Sequence, residues 1–193
     1  MKELALHILD IAENSVRAQA RTIRITVRED SALDLLEIII QDDGAGMDEE
    51  TLHAARDPFF TGQNKKKKIG MGIPLLEQLA EQCGGKLDIV SRKNGGTSLR
   101  ASFLRSHIDL PPYGNIADTL VVLFGSHPEI NFVYEHEKDG CVWSFSSREL
   151  LREIGLRHPG EIPRVLPAIR DWIQFHESNL WGGVSNIHED SKP

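Results

Sequence analysis

Gln41-Asp42-Asp43-Gly44-Ala45-Gly46-Met47 follows directly on an apolar run, Leu35-Leu36-Glu37-Ile38-Ile39-Ile40. A buried strand that leaves the sheet through two carboxylates and two glycines is suited to hold a polar ligand at its exit. Side chains alternate between faces along a strand, so Leu36, Ile38, Ile40 and Asp42 share one face and Glu37, Gln41 and Asp43 the other. Asp42 therefore lies on the apolar face, towards whatever covers the sheet, while Asp43 points outward. Gly44 and Gly46 permit positive φ and close approach of the backbone.

Upstream, residues 3 to about 18 have helical spacing, with Leu4, Ile8, Ile11 and Ser15 on one side and Leu9, Ala12 and Val16 beside them. Asp10 and Asn14 are four apart and hence neighbours on one face, with Arg17 a turn further on. Arg21 to Arg28 alternates as a half-buried strand, Ile23, Ile25 and Val27 against Thr22, Arg24, Thr26 and Arg28. Downstream, Asp48-Glu49-Glu50 reads as the acidic first turn of a short helix. Arg56 to Gly70 combines Pro58, Phe59, Phe60, Thr61 and Lys65 to Lys68 without periodicity, as a loop tethered by its phenylalanines. Gly70-Met71-Gly72-Ile73-Pro74 opens a helix with Leu75, Leu76, Leu79 and Ala80 as its apolar stripe, ended by Gly84-Gly85. Two strands follow, about 86–91 and 97–103, joined by Arg92-Lys93-Asn94-Gly95-Gly96. The order implies an α+β fold of two layers, helices covering one side of a mixed sheet.

The pattern breaks at Pro111-Pro112, which places a linker at 107–114 between a domain at 1–106 and a small α+β domain at 115–182. That second part has a helix from Asn115 and a hairpin across Asp139-Gly140. Ser146-Ser147-Arg148-Glu149 reads as a capping box, and another helix starts near Pro163. Residues 183–193 read as a polar, disordered tail. The net charge of -7 is concentrated after residue 106, where 13 acids face 7 bases. This argues against nucleic-acid or anionic-membrane binding there. Cys83 and Cys141 have neither a CxxC nor a Cys/His cluster around them, so both read as buried small hydrophobes without zinc or disulfide. With no signal-like N-terminus and no run of 18 apolar residues, a cytoplasmic protein is expected.

A carboxylate on an apolar face can accept the exocyclic amino group of a purine. Unpaired N–H groups at the Gly70-Met71-Gly72 helix start, with nearby lysines, form an anion site for phosphates. Asp10 and Asn14 complete the set, an amide oxygen for a magnesium ion beside a carboxylate able to orient or deprotonate water.

Leu6-His7-Ile8-Leu9-Asp10-Ile11-Ala12-Glu13-Asn14-Ser15 resembles the N box of the ATPase superfamily of gyrase, the Hsp-type chaperone, histidine kinases and MutL. Asp42-Asp43-Gly44-Ala45-Gly46-Met47 is similar to its first glycine box, and Pro58-Phe59-Phe60-Thr61 to the aromatic box of nitrogen-regulator-like histidine kinases. Gly70-Met71-Gly72-Ile73 and Gly95-Gly96-Thr97 resemble the remaining glycine boxes. Five ordered boxes over about residues 3 to 105 make the likeness specific. It implies a two-layer sandwich of the Bergerat type that binds ATP with Mg2+. By the same resemblance, Asn14 coordinates the metal, Asp42 bonds adenine, Gly44 and Gly46 shape the base pocket and Thr97 lies under the base. Gly70 and Gly72 flank the phosphates, and Met47, Phe60, Thr61, Lys68 and Met71 complete the nucleotide-binding set. Asp10 stands where hydrolysing members place a glutamate base, one methylene longer, and Arg17 replaces the acid usual in MutL. The first helix begins almost at Met1, so a preceding hairpin with a phospho-accepting histidine is not expected, nor is the N-terminal strap of MutL and gyrase.

Blander roles compete at several positions: an electrostatic neighbour for Asp10, a solvated loop for Lys65 to Lys68, and structural roles for His7 and His53. The expectation is a stand-alone, kinase-like ATPase or protein kinase that works on a protein partner, such as a response regulator, another phosphoacceptor or an enzyme complex. A homodimer stays open. A nucleotide-gated binding module and an anti-sigma-factor-like serine kinase are the alternatives.

Overall fold

The computed structural model describes residues 3–56, 71–155 and 159–181. Helix α1 (Leu4–Arg17) leads into the antiparallel pair β1 (Thr22–Asp30) and β2 (Leu35–Asp42), followed by α2 (Glu49–Arg56) and α3 (Gly72–Gln82). A second antiparallel pair, β3 (Lys86–Ser91) and β4 (Thr97–Leu104), precedes α4 (Ile116–Ser126). The chain closes with the hairpin β5 (Asn131–Lys138) and β6 (Cys141–Ser146), then α5 (Ser147–Glu153) and α6 (Ile162–Trp181).

All six strands form one sheet in the order β3-β4-β2-β1-β5-β6. Every neighbouring pair is antiparallel except β1 and β5, which run parallel. The register lines up Ile23, Asp42 and Thr97 across the three central strands, then Ile25, Ile40 and Leu99, then Val27, Ile38 and Ala101. These rows form the apolar face, and the helices bury it with Leu4, Ile8, Leu76, Leu120 and Leu123. The other face carries Arg24, Arg28 and Arg100 in water. Glu37 is nonetheless buried there, because the Arg100 guanidinium lies over it and donates to Oε1, 2.7 Å from Nε. The architecture is thus the α+β arrangement expected, with helices on one side of a mixed sheet.

The C-terminal part differs from the picture of a separate small domain. Its strand β5 joins the same sheet beside β1, and Phe132, Tyr134, Leu150, Ile169 and Ile173 belong to the same core cluster as Ile23 and Ile38. The cause is register: the alternation of Phe132, Tyr134 and His136 matches the buried face of β1, whose free edge it satisfies. Nor is 107–114 a spacer, since Leu4 N and Ala5 N at the start of α1 donate to the carbonyls of Pro112 (3.1 Å) and Tyr113 (2.9 Å). Of the two cysteines expected to be buried, Cys83 is buried, but Cys141 is exposed because it begins the edge strand β6.

Between the sheet and α6 lies a buried polar network. His136 is 0% exposed; its Nε2 faces Glu29 Oε1 at 3.3 Å and its Nδ1 faces Glu177 Oε2 at 3.0 Å. Arg105 Nε donates to the other oxygen of Glu29 at 3.1 Å, and Tyr134 OH donates to Glu177 Oε1 at 3.0 Å. Burial disfavours the imidazolium, but the hydrogen bonds and charges of Glu177 and Glu29 outweigh it and lift the His136 pKa to about 9. This raised value lies above the ordinary 6.5. The stabilisation is therefore complete below about pH 6.5 and is lost as pH rises through about 9. Thermal unfolding followed from pH 6 to 9.5 is expected to show stability falling by on the order of 3 kcal/mol across that window. In His136→Gln most of this slope should disappear, and an unchanged slope would refute the assignment.

Candidate functional site at the exit of strand β2

Helix α1 and strand β2 meet at Asp42. Ser15, on the buried stripe of α1, donates its hydroxyl to Asp42 Oδ2 at 2.7 Å, and Gly44 N donates to Oδ1 at 2.9 Å. Each carboxylate oxygen is thus tied by one donor and keeps further lone-pair capacity for a ligand. Asp42 is half-buried and lies in the row of Ile23 and Thr97, on the helix-covered side of the sheet.

The turn after Asp42 is clamped from both sides. Ala45 N donates to Ala18 O at the end of α1 (2.8 Å), and Ala45 O accepts from Asn94 N in the β3–β4 turn (2.6 Å). Gly96 N donates to Gly44 O at 3.1 Å. Gly46 has φ +61, and any side chain there would start 1.9 Å from the carbonyl oxygen of Arg92. Met47 N donates to Ser91 Oγ at 2.8 Å, and Ser91 Oγ in turn donates to Gly96 O at 3.1 Å. With that hydrogen committed, the 2.9 Å bond between Ser91 and Thr97 has the Thr97 hydroxyl as donor. Thr97 and Met47 are therefore fixed at the rim of the same turn.

Asp43 has a different position and task. Its Oδ1 accepts Arg21 N at 2.7 Å and Thr22 N at 2.9 Å, closing the start of β1. Slight burial pushes its carboxyl up, but these backbone donors outweigh that and hold it below the usual carboxylate range.

Along α1, Asp10 and Asn14 follow one flank. The Asp10 carboxylate lies over the first residue of α3, where a methyl group on Gly72 would fall 1.9 Å from Oδ2, so only glycine allows this approach. Among the described residues no side chain caps the start of α3 after Met71, and its first amides lie beside that carboxylate. Met71 is itself 58% exposed. Asn14 Oδ1 accepts a hydrogen bond from the Arg17 guanidinium. The structure thus gathers Asp10, Asn14, Asp42, Gly44, Gly46, Met47, Met71, Gly72 and Thr97 around one end of the sheet. Phe60, Thr61, Lys68 and Gly70, with Pro58, Phe59 and the other lysines, lie outside the described residues. His7 is buried at 4% exposure, whereas His53 is exposed on α2.

Ser15 and Ser91 were not singled out as site residues. Ser15 had a visible signal, a hydroxyl on an otherwise apolar helix stripe that must find a partner. Ser91 had none, because its role depends on the turn that folds over it.

Residues 2–107 match the family model described as histidine kinase-, DNA gyrase B- and HSP90-like ATPase. The chain belongs to this family. Among curated proteins it is 31% identical over 67 residues to the C4-dicarboxylate transport sensor protein DctB of Pseudomonas aeruginosa, 35% of this chain and 11% of the relative. It is 31% identical over 68 residues to the sensor histidine kinase YxdK of Bacillus subtilis, 34% of this chain and 21% of the relative. The match thus spans a small part of the length of these family members. Among solved structures, the N-terminal domain of a DNA repair protein superposes with a TM-score of 0.51 at 16% identity, covering 75% of this chain and 52% of that one. That likeness is one of fold.

The clamped turn leaves no room for a side chain at Gly46. Gly46→Ala is expected to lower stability by at least about 1–3 kcal/mol through its positive φ alone, with the clash adding to it. Denaturant unfolding would show this as a lower midpoint at unchanged slope; a midpoint equal to wild type would mean that the turn is not held as described.

Proposed function

We propose that this chain binds Mg-ATP at the exit of β2 and hydrolyses it or passes the γ-phosphate to a protein partner. The observation that carries this reading is the Asp42 carboxylate, held by Ser15 and Gly44 on the apolar side of the sheet, with Asp10 and Asn14 on the adjoining helix. A carboxylate so fixed offers its remaining lone pairs as acceptors, matched to the amino group of adenine. Membership of an ATPase family supports the same ligand.

The residues present fit the metal as well. Mg2+ held mainly by phosphates and water needs few protein ligands, and one amide oxygen at Asn14 is of the right chemistry. When bound, Mg-ATP supplies the phosphoryl group and its leaving group. The chain's own part is to place them: Asp42 orients the base, the first amides of α3 face anionic oxygens, and Asp10 beside them takes the proton of an attacking water or partner hydroxyl. The names of the curated relatives, sensor proteins and a sensor histidine kinase, support a protein as the phosphoacceptor.

One observation favours a second reading, a nucleotide-gated binding module. Arg17 donates to the Asn14 oxygen assigned to the metal, so a cation there meets the like charge of the guanidinium, which favours Arg17 turning away and changing the exposed surface at the end of α1. In that reading the altered surface, rather than turnover, is the output.

Labelled ATP distinguishes the two. Asp42→Asn should weaken ATP retention in equilibrium dialysis far more than Asp43→Asn, and equal losses would mean that the strand faces are assigned wrongly. Phosphate release, or transfer of label to a partner, should drop by roughly a hundredfold or more in Asp10→Asn with ATP binding retained. Turnover that survives Asp10→Asn would remove the base assignment, and tight binding without release or transfer would favour the gated module.

A further inference from the structure

We infer that Tyr113 and Glu177 are positioning residues for α1, so that the C-terminal part of the chain holds the helix that presents Asp10, Asn14 and Ser15. This rests on the reading of that helix as part of an ATP site.

Helix α1 has no side-chain cap at its start, and its first-turn amides need acceptors. Two of them are satisfied by the carbonyls of Pro112 and Tyr113, so the backbone of Tyr113 sets where the helix begins. Tyr113 is itself held by its hydroxyl, 3.0 Å from that of Tyr134. Tyr134 OH donates to Glu177 Oε1, which leaves Tyr113 as the donor in the pair. Glu177 is anchored in turn by His136, and His136 by Glu29 on β1. An unbroken chain of polar contacts therefore runs from α6 through Tyr113 to the N-terminus of α1. Thr119 on α4 adds a contact of the same sense, donating its hydroxyl to Ala5 O at 3.4 Å.

A helix of 14 residues moves nearly as a rod. A displacement of its start by about 1 Å would be passed to Ser15 and would break a hydrogen bond as short as that to Asp42. Coupling between two ends of one element is reciprocal: what α6 does to nucleotide binding, the nucleotide does to α6. Reporters are built in. Trp143 lies on β6, three strands from β2 in the sheet, with its ring 5.9 Å from that of Tyr134, and Trp172 lies 5.4 Å from Trp143.

The test compares equilibrium dialysis of labelled ATP with tryptophan emission during titration by Mg-ATP, in a Trp181→Phe background so that Trp143 and Trp172 supply the signal. The otherwise unmutated chain should show a saturable emission change with the midpoint found by dialysis. Tyr113→Phe, which deletes one hydroxyl, should lose the emission change and bind ATP at least about fivefold more weakly. Ser31→Ala, which removes an exposed contact with Asp139 away from the site, should behave as the parent and separates positioning from general destabilisation. Emission that stays flat while ATP saturates the parent overturns the inference whatever the variants do, as does Tyr113→Phe titrating like the parent. An absence of ATP retention by the parent in dialysis overturns the ATP reading itself, and this inference with it.

Discussion

The Asp42 carboxylate is the point at which helix, strand and turn are brought into register. The Ser15 hydroxyl fixes one oxygen to α1, and the Gly44 amide fixes the other to the turn that leaves β2. If either bond is lost, one oxygen of the carboxylate loses the donor that orients it, while Ala45 N, bonded to Ala18 O, still ties the turn to the helix. The clamp by Ala18, Arg92, Asn94 and Gly96 extends this constraint to the β3–β4 turn. A site that must present one acceptor in one direction is thus held by three elements far apart in sequence.

The second constraint lies at the opposite end of α1. There the chain uses carbonyls of residues 112 and 113 as a helix cap and ties them to a buried cluster of two tyrosines, a histidine and two glutamates. Burying such charges costs desolvation free energy, which is offset only when each is paired. Here each of the three ionisable groups at the centre has an opposite charge within hydrogen-bonding distance, so the network fastens α6 and β5 to β1 rather than weakening the core. The two ends of α1 are held by different parts of the chain, and Asp10 and Asn14 lie between them.

Much of this was legible in the residues. Period-two alternation placed Asp42 and Asp43 on opposite faces, and the structure finds Asp42 on the helix side and Asp43 closing β1. Helical spacing put Asp10 beside Asn14, and glycine at 44 and 46 marked a turn where backbone must come close. What did not show were contacts made across the sequence. Nothing local to Phe132 or Tyr134 says that β5 pairs in parallel with β1, since a parallel partner is joined by a crossover rather than a turn. A proline pair at 111 and 112 reads as a linker until the helix that the carbonyls of Pro112 and Tyr113 cap is in view. Nothing in the residues next to Glu29 or His136 marks either as part of a buried network, and only the fold makes them neighbours.

The most direct measurement is competition between nucleotides for the unmutated protein, with labelled ATP displaced by ATP or by GTP in Mg2+ buffer. Asp42, pinned as an acceptor, matches the amino group of adenine and opposes the carbonyl oxygen that guanine presents in its place. ATP should compete at least about tenfold more strongly, about 1.4 kcal/mol. Equal competition by GTP would contradict the role assigned to Asp42 and, with it, the reading of the β2 exit as an adenine site.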